Sequence, residues 1–360
     1  MRYPKHNQYR WLAAVLCLVV VAWSVPRVAH GWTDGEFEKR PLYAYPLPRG
    51  RDNIIGNLIT YQLQKGDTLL DVGRWFGVTA TEISAANGKI DWWTPPAGRD
   101  IILPDEHILP DTPHVGIILN IPEMRIYYYF PSPIGPVLGR GKLKKAAFKE
   151  GKAGARSHGA AHSSVQPDVV YTFPVGLGRF DWKTPLGAFT VRGKTREPTW
   201  VVPQDIYEEH LERDGEADHM IPGGDPDNPL GHYRLELTLP EYALHGTNVP
   251  WGVGMEVSHG CVRLYPEDIE RLFNKVKVGT PGEFVYQPIK FGWRGDSLYV
   301  EVHDDLYGVY PGLWAHAQDE VNRLGIQNQV DMQKLEKAVE GKTGMPTYVM
   351  PGAPPAGAAG

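Results

Sequence analysis

Ten residues separate two short histidine-bearing segments, His245-Gly246-Thr247 and Ser258-His259-Gly260-Cys261-Val262-Arg263-Leu264. A thiol beside imidazoles and a guanidinium is the residue set for covalent acyl chemistry. A free thiol of pKa ~8.5 is mostly protonated at neutral pH and needs a base before it can attack. A nearby imidazole can take that proton and leave a thiolate nucleophile. Gly260 lets the backbone approach a substrate closely, and the amides of such a turn can face the oxyanion of a tetrahedral intermediate. Arg263 can hold a carboxylate through two parallel hydrogen bonds or stand in a structural ion pair. The Ser258 hydroxyl can serve a substrate or the turn itself. His245, His259 and Cys261 are also zinc-ligand types. No fourth ligand is evident, so the residues are read as a nucleophilic site with no metal and no cofactor.

The cysteine count sharpens this. The chain has two cysteines, Cys17 and Cys261. Arg2, Lys5 and Arg10 precede an apolar run over 11–25, and Pro26, Arg27, Ala29 and Gly31 follow it. That order is the pattern of a secretory signal peptide, assigned to residues 1–31. The run is shorter than the ~20 apolar residues of a spanning helix; an uncleaved inner-membrane anchor is the alternative. Export would place the protein in the periplasm and remove Cys17, leaving Cys261 without a disulfide partner. A lone thiol in an oxidising compartment is either an inert buried side chain or one kept because it reacts.

Composition narrows the classes further. The 360 residues carry a net charge of -5, with 40 Gly and 32 Pro. That much Gly and Pro disfavours a helical bundle and favours β structure with many turns. Residues 1–31 hold Arg2, Lys5, Arg10 and Arg27 and no acidic residue, so the remainder has a net charge of -9. No basic excess marks a nucleic-acid binder. A single long apolar run excludes a multi-span membrane protein.

The chemistry must be held by elements that the pattern also outlines. Residues 32–57 read as an extended segment carrying Tyr43 and Tyr45. Residues 58–104 read as a small βααβ unit. Thr60-Tyr61-Gln62-Leu63 forms a strand, Thr68 caps a helix with Leu69, Val72, Trp75 and Phe76, and Gly77 stops it. Thr79 caps a second helix, and 99–103 returns as a strand closed by Pro104. With its Lys65-Gly66-Asp67-Thr68 turn and Ala85-Ala86-Asn87, this unit resembles a LysM domain. The resemblance implies binding of peptidoglycan glycan, with Trp92 and Trp93 either facing sugar or packing in the core. Strands are expected over 115–121 and 124–130, the second with Ile126, Tyr128 and Phe130 on one face. A basic insert, 139–168, reads as a flexible loop whose His158 and His162 are solvated. Further strands fall at 169–176, 189–193, 233–239, 242–244, 283–286 and 298–302. Pro266 starts a helix that runs to 276. Residues 291–349 form a partly helical C-terminal extension with a break at Gly325, and 350–360 a disordered tail.

The catalytic region, 113–290, resembles the YkuD-type L,D-transpeptidase family. The resemblance rests on the two histidine segments, on Thr184-Pro185-Leu186-Gly187-Ala188-Phe189, and on Pro226-Asp227-Asn228-Pro229-Leu230-Gly231. It is similar in particular to the proteobacterial periplasmic subgroup. It implies a mainly β catalytic domain with a short helix, preceded by the βααβ LysM module. Cys261 then matches the nucleophile, and His245 the base, oriented by the Gly246 carbonyl. His259, Gly260 and Cys261 match the amides of the oxyanion hole, while Ser258, Thr247 and Arg263 are assigned to substrate. His259 is an orienting residue rather than the base. The resemblance implies substrates and partners as well: the stem peptides and glycan of peptidoglycan and, as acyl acceptor, a second stem or a wall-anchored lipoprotein. It also implies acylation of the thiol by carbapenems. Two rival readings are a hydrolytic carboxypeptidase or amidase and a non-catalytic wall-binding protein.

Overall fold

A computed structural model describes residues 32–131 and 167–354. Residues 1–31, read above as a signal peptide, residues 132–166 with most of the basic insert, and the last six residues lie outside the described residues. Among the described residues, no helix is long and apolar enough to cross a membrane.

A short helix, α1 (Asp34–Phe37), leads to strand β1 (Ala44–Pro46). The βααβ unit follows as β2 (Ile54–Gln62), α2 (Leu69–Phe76), α3 (Ala80–Asn87) and β3 (Asp100–Ile108). Thr68 Oγ1 accepts the Asp71 amide at 3.0 Å, satisfying an orphan donor of α2. Gly77 ends that helix in the left-handed region. Thr79 and Glu82 cap α3 reciprocally. Leu69, Val72, Ile83 and Leu103 close the unit's core. β2 and β3 pair antiparallel from Ile54↔Ile108 to Gln62↔Asp100. Pro104 therefore does not close the strand. It sits opposite Leu58 in a two-stranded ribbon, where a residue without an N–H can face the unpaired edge.

The next strands are β4 (Gly116–Asn120), β5 (Arg125–Phe130), β6 (Val169–Pro174), β7 (Leu177–Gly178) and β8 (Gly187–Arg196). A small ribbon of β9 (Trp200–Val201) and β10 (Met220–Ile221) brackets helix α4 (Gln204–Asp214). Then come β11 (Tyr233–Leu237), β12 (Ala243–His245), β13 (Glu256–Ser258), β14 (Val262–Arg263), α5 (Pro266–Lys275) and β15 (Pro281–Val285). Nine strands form one sheet in the order β1-β6-β5-β4-β15-β8-β11-β12-β14. Only β4/β15 and β12/β14 are parallel pairs in it. One face buries Ile117, Ile126, Tyr128, Leu235 and Leu244 against Ile269 and Leu272 of α5. The other face of β5 is covered too: Tyr127 and Tyr129 are fully buried and join Ile55 and Leu109. Phe130, expected to share the inward face, is exposed at the strand end.

β16 (Ile289–Arg294), β17 (Ser297–Val302) and β18 (Thr347–Tyr348) make a separate three-stranded sheet, with α6 (Leu313–Leu324) and α7 (Met332–Gly341) packed on it. Gly325 ends α6 at φ 67°. β16 begins at Ile289, so a boundary at 290 falls inside a strand.

The three parts share a buried charge network. Lys290 Nζ lies 2.8 Å from Glu123 and 2.8 Å from Glu301, and donates to the Ile108 carbonyl at 2.6 Å. All three charged side chains are buried. Burial pushes the Glu123 carboxyl upward, but Lys290, His303 and Arg125 outweigh it and hold it below the usual range. Lys290→Met removes the cation from two buried carboxylates. It is expected to cost about 3–5 kcal/mol, the range for breaking a buried ion pair on one side. Urea unfolding measures it, and a loss under about 1 kcal/mol, the value of a surface pair, would contradict the assignment.

Candidate active site

Strand register decides which side chains meet. His245 of β12 is opposite Arg263 of β14 in a parallel pair and opposite Arg234 of β11 in an antiparallel pair. Side chains alternate across a sheet. Arg234, His245 and Arg263 therefore form a row on one face, while Leu235, Leu244 and Val262 form the next row on the other. Those three are fully buried in the core. Cys261 precedes Val262, so it belongs to the row's face, level with Ala243, whose backbone hydrogen-bonds the thiol. The thiol also donates to the Glu241 carbonyl at 3.6 Å.

His245 is 3% exposed, and its Nδ1 lies 2.7 Å from the Gly246 carbonyl. A carbonyl only accepts, so Nδ1 carries the proton and Nε2 keeps its lone pair. Burial, then the Arg263 charge, push the imidazole down to about 3, against the Gly246 bond. Burial also raises the Cys261 thiol, against the Ala243 backbone, Arg234 and Arg263. Both shifts favour the uncharged forms, a thiol beside a neutral imidazole.

The turn between β13 and β14 is clamped from several directions. Ser258 is 1% exposed. Its Oγ accepts the Gly260 N–H at 3.2 Å and donates to the Cys261 carbonyl at 2.6 Å. The serine hydroxyl holds the turn, and the Gly260 amide is engaged by it. That bond is at odds with the expectation that this amide faces the oxyanion. Gly260 has φ 102°, and a Cβ there would stand 2.7 Å from the Tyr242 ring, so only glycine fits. Thr184 donates to the Gly260 carbonyl at 2.8 Å, which gives the Thr-Pro-Leu-Gly segment a structural task. Tyr307, from beyond the catalytic region, donates to Gly178 and accepts from the Thr184 amide.

His259 is held by α4 and its neighbours. Its Nε2 lies 2.8 Å from Glu209 of α4, and its ring meets Trp182 edge-on. Hydrogen bonds from Arg179 and then His259 pull Glu209 down to about 2. Glu209 went unseen in sequence, because α4 buries only Ile206 and shows no apolar stripe; Arg179, just after β7, was not singled out either. Thr247 is buried at 4% exposure, and its hydroxyl accepts the Val249 N–H at 2.9 Å. It shapes the loop and lines the cleft described below. Behind it, Asn228 donates to the carbonyls of Pro198 and Pro222, and Gly231 passes so close that a Cβ would stand 2.8 Å from the Thr247 nitrogen.

Among the described residues, His107, Glu123 and Glu301 are the group with metal-ligand spacing. Lys290 already supplies the cation between those carboxylates. His245, His259 and Cys261 do not form such a group. A separate cleft of about 870 Å³ lies between the βααβ unit and the catalytic sheet, lined by Trp32, Asp71, Trp93, Asp225, Trp251 and Glu270 among others. Trp93 is 62% exposed in it, whereas Trp92 packs on the unit's core and donates to Ser84.

Comparison with known proteins bears on the family. The YkuD family profile, described as an L,D-transpeptidase catalytic domain, matches residues 164–285. "Probable L,D-transpeptidase YbiS" of Escherichia coli K12 is 31% identical over 312 residues, covering 84% of this chain and 90% of the relative. "Probable L,D-transpeptidase ErfK/SrfK" of Salmonella typhimurium LT2 is 30% identical, covering 86% and 92%. "Putative L,D-transpeptidase YkuD" of Bacillus subtilis 168 is 26% identical, covering 62% and 96%. A likeness at this level over nearly the whole length of the first two places the chain: it belongs to the YkuD-type L,D-transpeptidase family.

Proposed function

We propose that Cys261 is the nucleophile of a two-step acyl transfer on peptidoglycan stem peptides. The observation that supports it most is the Nδ1–Gly246 bond, which leaves His245 Nε2 unprotonated on the face that carries the thiol. In the first step His245 takes the thiol proton as sulfur bonds to the carbonyl of the third stem residue. The C–N bond breaks, and the terminal D-Ala leaves with the proton from His245. In the second step an amine bonds to the thioester carbon, its proton passes to His245, and the thiol leaves and is reprotonated. The amides of His259 and Cys261 face the oxyanion, and Arg263 faces a substrate carboxylate. The acceptor is a second stem's side-chain amine or the lysine of a wall-anchored lipoprotein. The protein works after export, in the periplasm.

The test is incubation of the purified protein with a disaccharide-tetrapeptide, followed by intact-mass and product analysis. A thioester adduct at Cys261 and amine-linked products support transfer. Shortened stems alone would mean that water is the acceptor, and no adduct with stem or carbapenem would mean a non-catalytic wall binder.

The βααβ unit is assigned the role of LysM module, with Trp93 as its sugar platform in the cleft. Deleting 59–104 is not a clean test, because Arg125 of β5 donates to Gly77 and Glu82 of the unit. Trp93→Ala is expected to weaken sacculus binding about five- to tenfold, the loss of one aromatic contact, with unchanged melting. Unaltered pull-down would make the unit a spacer.

A further inference from the structure

Buried arginines elsewhere in this chain are matched to carboxylates. Arg40 lies beside Glu267 and Asp268, Arg74 beside Glu267 and Asp34, and Arg125 beside Glu82. Arg234 and Arg263, both half-buried, break the pattern. Each has a buried Nε with no hydrogen-bond partner, as Arg125 also has, but among the described residues neither joins an ion pair. They flank His245 in one cross-strand row, and both charges act on Cys261. A guanidinium whose Nε is out of water and has no anion nearby is unfavourable. Two of them on the nucleophile's face make a site that a ligand carboxylate completes.

The reaction says which carboxylate stands close. Sulfur must meet the scissile carbonyl carbon. The leaving residue carries its own carboxylate on the Cα bonded to the scissile nitrogen, one residue spacing away, about 3.8 Å between Cα atoms. That group is charged only when the leaving residue is the last of the chain. We propose, resting on the role assigned to Cys261 above, that Arg234 joins Arg263 in holding the terminal carboxylate of the leaving residue. The pair thereby selects donors that end one residue past the scissile bond. By microscopic reversibility the same guanidiniums receive the carboxylate of a free amino acid acting as acceptor. Its amine bonds to the thioester carbon, the C–S bond breaks, and the amine proton returns to the thiol through His245. The structure thus adds Arg234, absent from every sequence motif, to the substrate site.

A second source of the same chemistry is the side-chain carboxylate of the third residue, so the experiment separates the two. Acylation is measured for three donors: the free tetrapeptide, its C-terminal carboxamide, and a tetrapeptide with only the third residue's side-chain carboxyl amidated. Wild type is expected to lose about ten- to a hundredfold in kcat/KM on the terminal carboxamide, the weight of charge-assisted hydrogen bonds, and little on the side-chain amide. R234Q and R263Q should bring the ratio of acid to carboxamide toward one, and R234K should restore part of it. A loss on the side-chain amide instead would overturn the leaving-group assignment. So would equal wild-type rates on acid and carboxamide, an outcome that leaves the Cys261 reading intact because both still acylate. Equal slowing of R234Q on every donor, with the pH profile of iodoacetamide alkylation displaced upward, would show that the guanidiniums serve the thiol alone. If no donor acylates wild type, the proposed function falls and takes this subsite with it.

Discussion

Cys261→Ala is expected to abolish release of D-Ala from a tetrapeptide, by on the order of a thousandfold or more, while the protein still melts as wild type. Losing a covalent nucleophile removes the whole two-step route and not a fraction of it. The substitution is structurally mild. The side chain is only partly buried, and the turn around it is held by Ser258, Thr184 and Gly260. The measurement is D-Ala release together with intact mass: wild type gains the mass of the acyl group and the variant does not. A variant that kept more than about a tenth of the wild-type rate, a loss far below that of a missing nucleophile, would show that the bond is broken elsewhere.

His245→Gln is expected to lower kcat/KM by about two to four orders of magnitude, the contribution of a placed general base. The wild-type pH profile tests the same residue without mutation. The base works only when unprotonated. An ordinary imidazole of pKa about 6.5 would be mostly protonated near pH 5, but burial and Arg263 push His245 down to about 3. Activity should therefore stay level through pH 5 and fall only as pH approaches about 3. R263Q removes a cation that favours the neutral ring, so its His245 rises and the acid limb moves to higher pH. An acid limb near 6.5 in the wild type, or one unmoved by R263Q, would contradict the placement of this histidine.

Local features of the fold were legible where a side chain acts on its own neighbours. Thr68, Gly77 and Thr79 could be assigned as helix punctuation because caps and left-handed stops involve residues only a few positions apart. Pro104 misled because whether a missing N–H matters depends on whether a strand has a neighbour on that side. The second buried face of β5 was hidden for a similar reason. Tyr127 and Tyr129 read as outward residues until Ile55 and Leu109, far away in sequence, cover them. Ser258 and Thr247 carried hydroxyls that suited a substrate equally well, and only their burial turned them to the backbone.

The sequence by itself determined which residues stand together as candidates: a thiol, two histidine segments and a glycine that its turn requires, all within a stretch short enough to be read as one motif. Tertiary structure decided the protonation state and the charge around it. His245 is neutral because it is buried, and Arg234 faces the thiol because β11 pairs with β12 in one register and not the next. Burial and strand register both arise from residues distant along the chain, and a shift of one position would have sent that arginine to the opposite face.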